Sequence, residues 1–598
     1  MYFPQHYEVA RNREMTTVFG GYNHKLSCAE GEFYDMKNMT TDYFPILSPR
    51  TKRRKAWPVE NECFGMLSTG DDLYWTDFLK LYRNGENISG NVIIGANFFS
   101  YNSMPKMGTD IVFAEGMLGT FAYNTETDEF KGIHRVISAG GIGIYPCKED
   151  GTIIYAKEST EEPVDGEYRL SWIDGKQVYR QWSKATSTWT TINSVYVLLG
   201  ASNLESGNGF KVGDCMKITV DNSDGDFDKV ISLFPKDEGD GKYSLETYIV
   251  AMPQENGKST GVVFPGVIYE SLRTDKDYMI ERYIPRMDFV VECDNRLWGV
   301  AISGHEIYSC KLGDYLNWRV FRGISTDSYA VNIGSDGMFT GAITYLNTPI
   351  FFKENSMIRV YPSATGAHQI KETRCRGVQY YCHKSLCVVN EVLYYKSNDC
   401  ICAFDGSLPV SISENFGEVR YEAAVAGTIG NKYYINMREV GGDFHTFVYD
   451  TVKGIWTKED DIRVNHFCRH ANDLFMDVGT QLYTVRGTAM FESAEEEEDF
   501  DWYAESGMIG FNTPDNKYVS KITVRLSMAM GTNVDFYMQY DSSGTWEHIF
   551  NLNGTGTKSV NIPVLPRRCD HFRYKIAGRG DCKIYSITKT IEEGSDIR

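Results

Sequence analysis

No window of this 598-residue chain approaches the ~18 uninterrupted apolar residues of a membrane-crossing helix, which sets aside a helical membrane protein. The opening Met1–Glu14 lacks the apolar centre of a secretory signal, so none is expected. Cysteine is sparse: 14 residues, scattered, with no Cys-x-x-Cys pair, which excludes a disulfide scaffold and a conventional zinc module. Positive charge is the minority sign, 61 Lys and Arg against 80 Asp and Glu. The net charge of −19 repels phosphate backbones and argues against a nucleic-acid clamp. It is compatible with a wall past which DNA moves without sticking. Long amphipathic helices are missing. So are the Walker loop, HExxH and the GxSxG elbow. Ser335-Asp336-Gly337-Met338-Phe339 only loosely echoes the Asp box of sialidases, and Gly441-Gly442 with Tyr449-Asp450 and Trp456 resembles a single kelch motif. No catalytic residue, cofactor or resident metal is expected.

Aromatic residues are abundant at 14%, with 39 Tyr and 32 Phe, and glycine is common at 55. That mixture suits half-buried strands joined by tight turns. One pattern recurs along the chain: a short apolar strand, a polar turn, then a second strand rich in Tyr or Ile. The copies are Leu73–Trp75 with Leu81-Tyr82, Ile111–Phe113 with Phe121–Tyr123, and Leu297-Trp298 with Ile307-Tyr308. They continue as Ile350–Phe352 with Ile358–Tyr361, Leu393–Tyr395 with Ile401–Phe404, Tyr433–Ile435 with Phe447–Tyr449, and Leu474–Met476 with Leu482–Val485. From residue 350 the copies begin at 350, 393, 433 and 474, steps of 43, 40 and 41 residues. A four-stranded propeller blade needs ~40–50 residues, and one blade cannot cover its own faces, so a closed ring of six to eight blades is expected. Phe130, Trp318 and Trp456 follow turns and are expected to start outer strands that fill the gaps between blades.

The spacing breaks in two places. Residues 137–282, with Trp172, Trp182 and Trp189 in an alternating pattern, read as a β domain inserted into a blade connection. After the acidic run Ala494–Asp501, residues 499–598 read as a C-terminal β-sandwich or jelly roll. The fold class is therefore all-β: a propeller over 61–136 and 283–493, the inserted domain, the sandwich, and an N-terminal docking segment over 1–60. Asp224, Asp226 and Asp228 within Asp221–Asp228 alternate like part of a calcium loop, but the distal Glu of that signature is missing and a solvated turn is favoured. His466, Cys468 and His470 would share one face of a strand, half of a metal site at most. The stretch Cys375, Cys382, His383, Cys387, Cys400 and Cys402 has the wrong spacing for zinc and reads as small buried hydrophobes. Arg50, Lys52, Arg53, Arg54 and Lys55 form the strongest basic cluster. Two readings stay open, a phosphate contact or a cationic strand docking on an acidic neighbour, and the second is favoured.

The stretch Phe19–Arg53 carries Gly20, Gly21 and Asn23, then Asp35 and Asn38, then Pro49 and Arg50. These positions resemble the start of phage tail nozzle proteins, also called tail tubular protein B or DNA-stabilisation proteins. Arg296–Gly299, Ile307–Ser309, Asn317-Trp318 and Phe351–Asn355 are similar to the core of the same family. The resemblance covers roughly residues 15–60 and 285–365. It implies a structural virion component of a bacteriophage tail, assembled in the host cytoplasm. Several copies, six by expectation, would ring an acidic channel below the portal and adaptor, hold the genome end without sequence recognition, and then conduct it. Alternatives from other classes are a receptor- or glycan-binding tail protein and a glycan hydrolase. The first would show exposed aromatics on the sandwich; the second needs paired carboxylates in a central cleft.

Overall fold

The computed structural model describes the chain apart from residues 1–10, 26–27, 78, 91–100, 116–118, 133–134, 488–494, 511–515, 594–598 and stretches within 139–277, among them 201–213, 222–235 and 267–277. Its regular structure is almost wholly strand.

Seven four-stranded antiparallel sheets form the blades of a β-propeller. Blades 1 and 2 run over Gly65–Asn87 and Lys106–Gly132, blades 3 to 6 over Phe289–Asn332, Gly341–Arg374, Cys387–Ser411 and Tyr421–Lys458. Blade 7 takes three strands from His466–Thr484 and its fourth from Arg54–Pro58, near the other end of the sequence. Each of the seven hairpins seen in the sequence is the pair of middle strands of one blade. A middle strand is covered by a neighbouring blade on each side, so it reads as a continuous apolar run instead of an alternating one. Leu73, Tyr74 and Trp75 are all buried, as are Tyr433, Tyr434 and Ile435.

The first and second strands of every blade are joined by two residues, and the first of the two has a positive φ: Gly70, Gly108, Asp294, Leu346, Asn390, Gly430 and Ala471. Two-residue turns of this hand match the twist of the flanking strands, which fixes the register of each hairpin. Separate apolar clusters fill the joints. Tyr74 and Leu81 meet Ile111 and Tyr123 between blades 1 and 2, Leu297 and Trp318 meet Met107 and Ala122 between 2 and 3, and Phe475 and Leu482 meet Trp75 and Tyr82 between 7 and 1. Every blade is thus covered by its neighbours and the ring is closed. Phe130 and Trp456 lie on fourth strands. Trp318 differs: it sits in the long connection before the fourth strand of blade 3, buried, its indole N–H donating to the Tyr315 carbonyl at 2.8 Å.

Blades 2 and 3 are both complete sheets, so the material between them lies outside the ring. Its strands form sheets of five, three, three and two, from Arg135–Ser138 to Tyr278–Arg282. Asp221 ends one of these strands, and the rest of the candidate calcium loop falls outside the described residues.

The sandwich packs a four-stranded sheet (Arg11–Thr16, Cys582–Glu593, Lys517–Met528, Gly556–Ile562) on a six-stranded one (Gly21–Tyr22, Glu32–Lys37, Asp501–Ser506, Phe572–Arg579, Asn533–Tyr540, Glu547–Asn553). Val519, Ile522, Val524 and Leu526 alternate inward along one strand and share a core with Trp502, Val534 and Ile576. The unit drawn from residues 499–598 is therefore completed by strands from the first 40 residues, and the segment 1–60 is not one docking piece. Residues 11–37 belong to the sandwich and 54–58 to blade 7. The same core runs through Phe19, Phe33, Met36 and Leu47 into blades 4, 5 and 6.

Candidate functional site at the ring closure and the axial mouth

The basic cluster leads into the strand that closes the ring, with Arg54 and Lys55 on it, and the acidic run after blade 7 lies alongside. Lys55 N–H donates to the Glu495 carbonyl at 2.9 Å and Glu497 N–H to the Arg53 carbonyl at 3.0 Å, so the run continues the edge of blade 7. The charges then pair in sequence. Lys55 Nζ is 3.0 Å from Glu495, Arg54 Nη2 3.2 Å from Glu496 and Lys52 Nζ 2.5 Å from Asp499. Arg50 holds Glu497 through both terminal nitrogens, while its Nε donates to Asn38 Oδ1 at 2.9 Å. Arg53 reaches inward to Glu459, at 2.6 Å, and Asp460. The three outer pairs are partly solvated and screened, and pairs of that kind contribute little. The inner group is buried: the Arg53 side chain is 3% exposed, Glu459 4% and Asp460 6%. Burial alone would raise the Asp460 carboxyl; the Arg53 and Arg50 guanidiniums outweigh it and hold it below the ordinary range. All five predicted residues thus sit against carboxylates of their own chain, the arrangement of a docked cationic strand. A phosphate contact would require these pairs to open.

The residues of the N-terminal motif meet at the same joint. Asn38, at φ 56°, donates from Nδ2 to the Asp501 carbonyl at 2.8 Å, at the start of a sandwich strand. Gly21, at φ 83°, lies so close to blade 6 that a Cβ would overlap the Trp456 carbonyl and Ile455. Asp35 accepts from Tyr503 of the sandwich at 2.7 Å and faces Lys458 of blade 6 at 3.4 Å. These positions join the sandwich to the ring.

The axis of the propeller is crossed at one end. The 3-10 turn His383–Ser385, ahead of blade 5, sends Lys384 Nζ to the carbonyls of Cys63 (3.4 Å) and Asn465 (3.2 Å), which lead into blades 1 and 7. Tyr101 packs on His383 and Phe289, with ring centroids 4.6 and 6.0 Å away. Ser103 Oγ lies between the Asp288 carbonyl and the Val290 N–H of blade 3. Beside this plug is a cavity of about 400 Å³, lined by Glu62, Tyr381, Lys384, Arg438, Arg463 and Asn465 among others. Burial pushes the Lys384 ammonium down to about 8, and burial with Lys384 nearby pushes His466 down to about 3. His470 Nδ1 is 2.9 Å from Ser68 Oγ. Among the described residues no three His, Cys, Asp or Glu side chains are grouped to hold a metal. Cys400 and Cys402 stand 3.5 Å apart as thiols, and the Ser335–Phe339 loop wraps the Lys353 ammonium, which donates to Ser335 at 2.5 Å. Glu459, Asp460, Lys384, Arg463 and Asn465 were not singled out in the sequence. Glu459 and Asp460 belong to the acidic string Glu459–Asp461, a visible but common signal; the other three carry none.

No protein-family model matches the chain, and no curated protein matches it. Among solved structures it is similar to the C-terminal WD40 domain of Sif2 (10% identity, 73% of this chain and 99% of that one, TM-score 0.28). It is also similar to Raptor from Chaetomium thermophilum (9% identity, 72% and 29% covered, TM-score 0.26). A third is a GH43 glycoside hydrolase engineered for endo-xylanase and exo-arabinofuranosidase activity (10% identity, 50% and 97% covered, TM-score 0.19). The propeller itself rests on the order of strands in the seven sheets.

Proposed function

We propose that this chain is a structural component of a bacteriophage tail, a nozzle subunit that assembles with further copies into a ring around the path of the genome. The observation that carries the reading is where the motif residues lie. Gly21, Asp35, Asn38 and Arg50 join the sandwich to the propeller through steric fit, hydrogen bonds and a buried ion group, the work of a scaffold that must keep a fixed shape. The crossed axis adds a constraint: a duplex does not pass through a propeller crossed by Lys384 and Tyr101, so the conduit runs between copies. A net charge of −19 suits a wall along which DNA slides, since attractive side chains would brake it. The portal, the adaptor and neighbouring tail proteins are the proposed partners.

The glycan-binding alternative has less support. The exposed large apolar side chains described on residues 501–598 are Met508, Met530 and Leu565, none of them aromatic.

The test is electron microscopy and native mass measurement of the purified protein, alone and with candidate portal and adaptor proteins. Closed rings, or density of this shape below the portal, are expected. A protein that stays monomeric in both settings, or a ring whose lumen is strongly basic, would refute the reading.

A further inference from the structure

The cavity at the axial mouth has a composition unlike the rest of this acidic chain. Three cations line it, from three different places: Lys384 ahead of blade 5, Arg438 in blade 6 and Arg463 ahead of blade 7. Each is held and none is saturated. Lys384 directs two of its three N–H donors at main-chain carbonyls, and among the described residues no carboxylate lies within ion-pair distance of its ammonium. Asp477 and Glu62 act on it only from beyond ion-pair distance, and burying an ammonium without a close counter-ion is costly. Arg438 is paired with Glu422 and Arg463 with Glu62 at 2.9 Å, yet their side chains stay 47% and 61% exposed, with guanidinium donors to spare. Asn465, which also lines the cavity, gives its Nδ2 to Asp477 at 3.2 Å, and its buried Oδ1 has no partner among the described residues.

We propose that this cavity binds a small oxyanion, a phosphate or a carboxylate, with Lys384 as the enclosed counter-charge and Arg438 and Arg463 at the rim. The Lys384 N–H that lacks an acceptor among the described residues meets one anion oxygen, and the two guanidiniums meet the others. Asn465 Oδ1 is available to accept from a protonated oxygen, which a phosphate supplies. A cavity of about 400 Å³ admits the anion and a few attached atoms and no folded partner. Since the lining comes from blade 6 and from the segments leading into blades 1, 5 and 7, a bound anion ties those parts together across the axis, and occupancy stabilises the ring. The ammonium, pushed down by burial, returns toward its ordinary range when the anion is seated.

Titration calorimetry of the full chain with inorganic phosphate and, separately, with malonate tests this at constant ionic strength. Saturable binding at one site per chain is expected with at least one of the two, with a rise in melting temperature on saturation. Arg463→Gln is expected to weaken binding several-fold and Lys384→Met by about tenfold or more, as the loss of charge-assisted hydrogen bonds requires. Lys384→Met also removes two main-chain contacts; if it does not fold, the double variant R438Q/R463Q, changed only at exposed side chains, decides in its place. The proposal is overturned if neither anion binds saturably up to about 20 mM, a concentration that reaches even weak sites. It is equally overturned if affinity is unchanged in the variants that fold, which would put the anion elsewhere.

Discussion

Replacing Arg53 by Met tests the idea that the segment leading into the ring-closing strand is fastened to the end of blade 6 by a buried charge group. The guanidinium sits between Glu459 and Asp460, with all three side chains at 6% exposure or less. Met fills much of the volume and leaves two carboxylates with a weaker counter-charge, since Arg50 stands 3.9 and 3.8 Å from them. Breaking a buried pair on one side costs about 3–5 kcal/mol; the Arg50 charge that remains puts the expected loss near the lower figure, about 3 kcal/mol. Arg54→Met is the contrast. Its partner Glu496 is 50% exposed, so the loss is expected to be under about 1 kcal/mol. Urea denaturation followed by tryptophan emission gives both numbers, and limited proteolysis marks the segment that opens, expected within 51–64. Acid should mimic Arg53→Met. Asp460 is held below its ordinary value in the fold, so its contribution is complete above about pH 4 and is lost as the pH falls through the lower folded value. Equal shifts for Arg53→Met and Arg54→Met, or a shift under about 1 kcal/mol for Arg53→Met, would show that the inner group does not fasten the ring.

Gly21→Ala should separate the sandwich from blade 6, because it combines a positive φ with overlap on Trp456; a loss above about 2 kcal/mol and faster cleavage between residues 38 and 54 are expected. Phe475→Ala, at the joint of blades 7 and 1 where the ring of Trp57 lies 5.6 Å away, should cost about 3–5 kcal/mol in the same denaturation assay. The His466 ring resists protonation in the fold, to about 3 against an ordinary 6.5, while the unfolded chain takes up the proton normally. Stability is therefore unaffected above pH 6.5 and falls below it, by up to about 3 kcal/mol at pH 4, and His466→Asn should flatten that slope. A slope unchanged in this variant would place the titrating group elsewhere.

What could be read from the sequence was local. The seven hairpins announced themselves because a strand packed on both sides must be apolar along its whole length, and because each is preceded by a two-residue turn that needs residues tolerant of positive φ, such as Gly70, Asp294 and Asn390. Period and turn chemistry are properties of neighbouring residues, so they survive in one dimension. The basic cluster Arg50–Lys55 and the acidic run before Asp501 were both visible too, as were the joint residues Gly21, Asn38 and Arg50.

Their pairing was not visible. Lys55 and Glu495 are 440 residues apart, and only closure of the ring brings them side by side. For the same reason the sandwich looked like a C-terminal unit: the strands Arg11–Thr16 and Glu32–Lys37 show alternation but no mark of the sheet they will join, which is set by hydrogen bonds to residues more than 450 positions away. Trp318 shows the same limit on a smaller scale, since an aromatic after a turn serves equally well in a strand or in a buried loop. The cationic mouth lies furthest from the sequence. Lys384, Arg438 and Arg463 are ordinary charged residues until the ring brings them around one axis, and only there do three cations come to line one cavity.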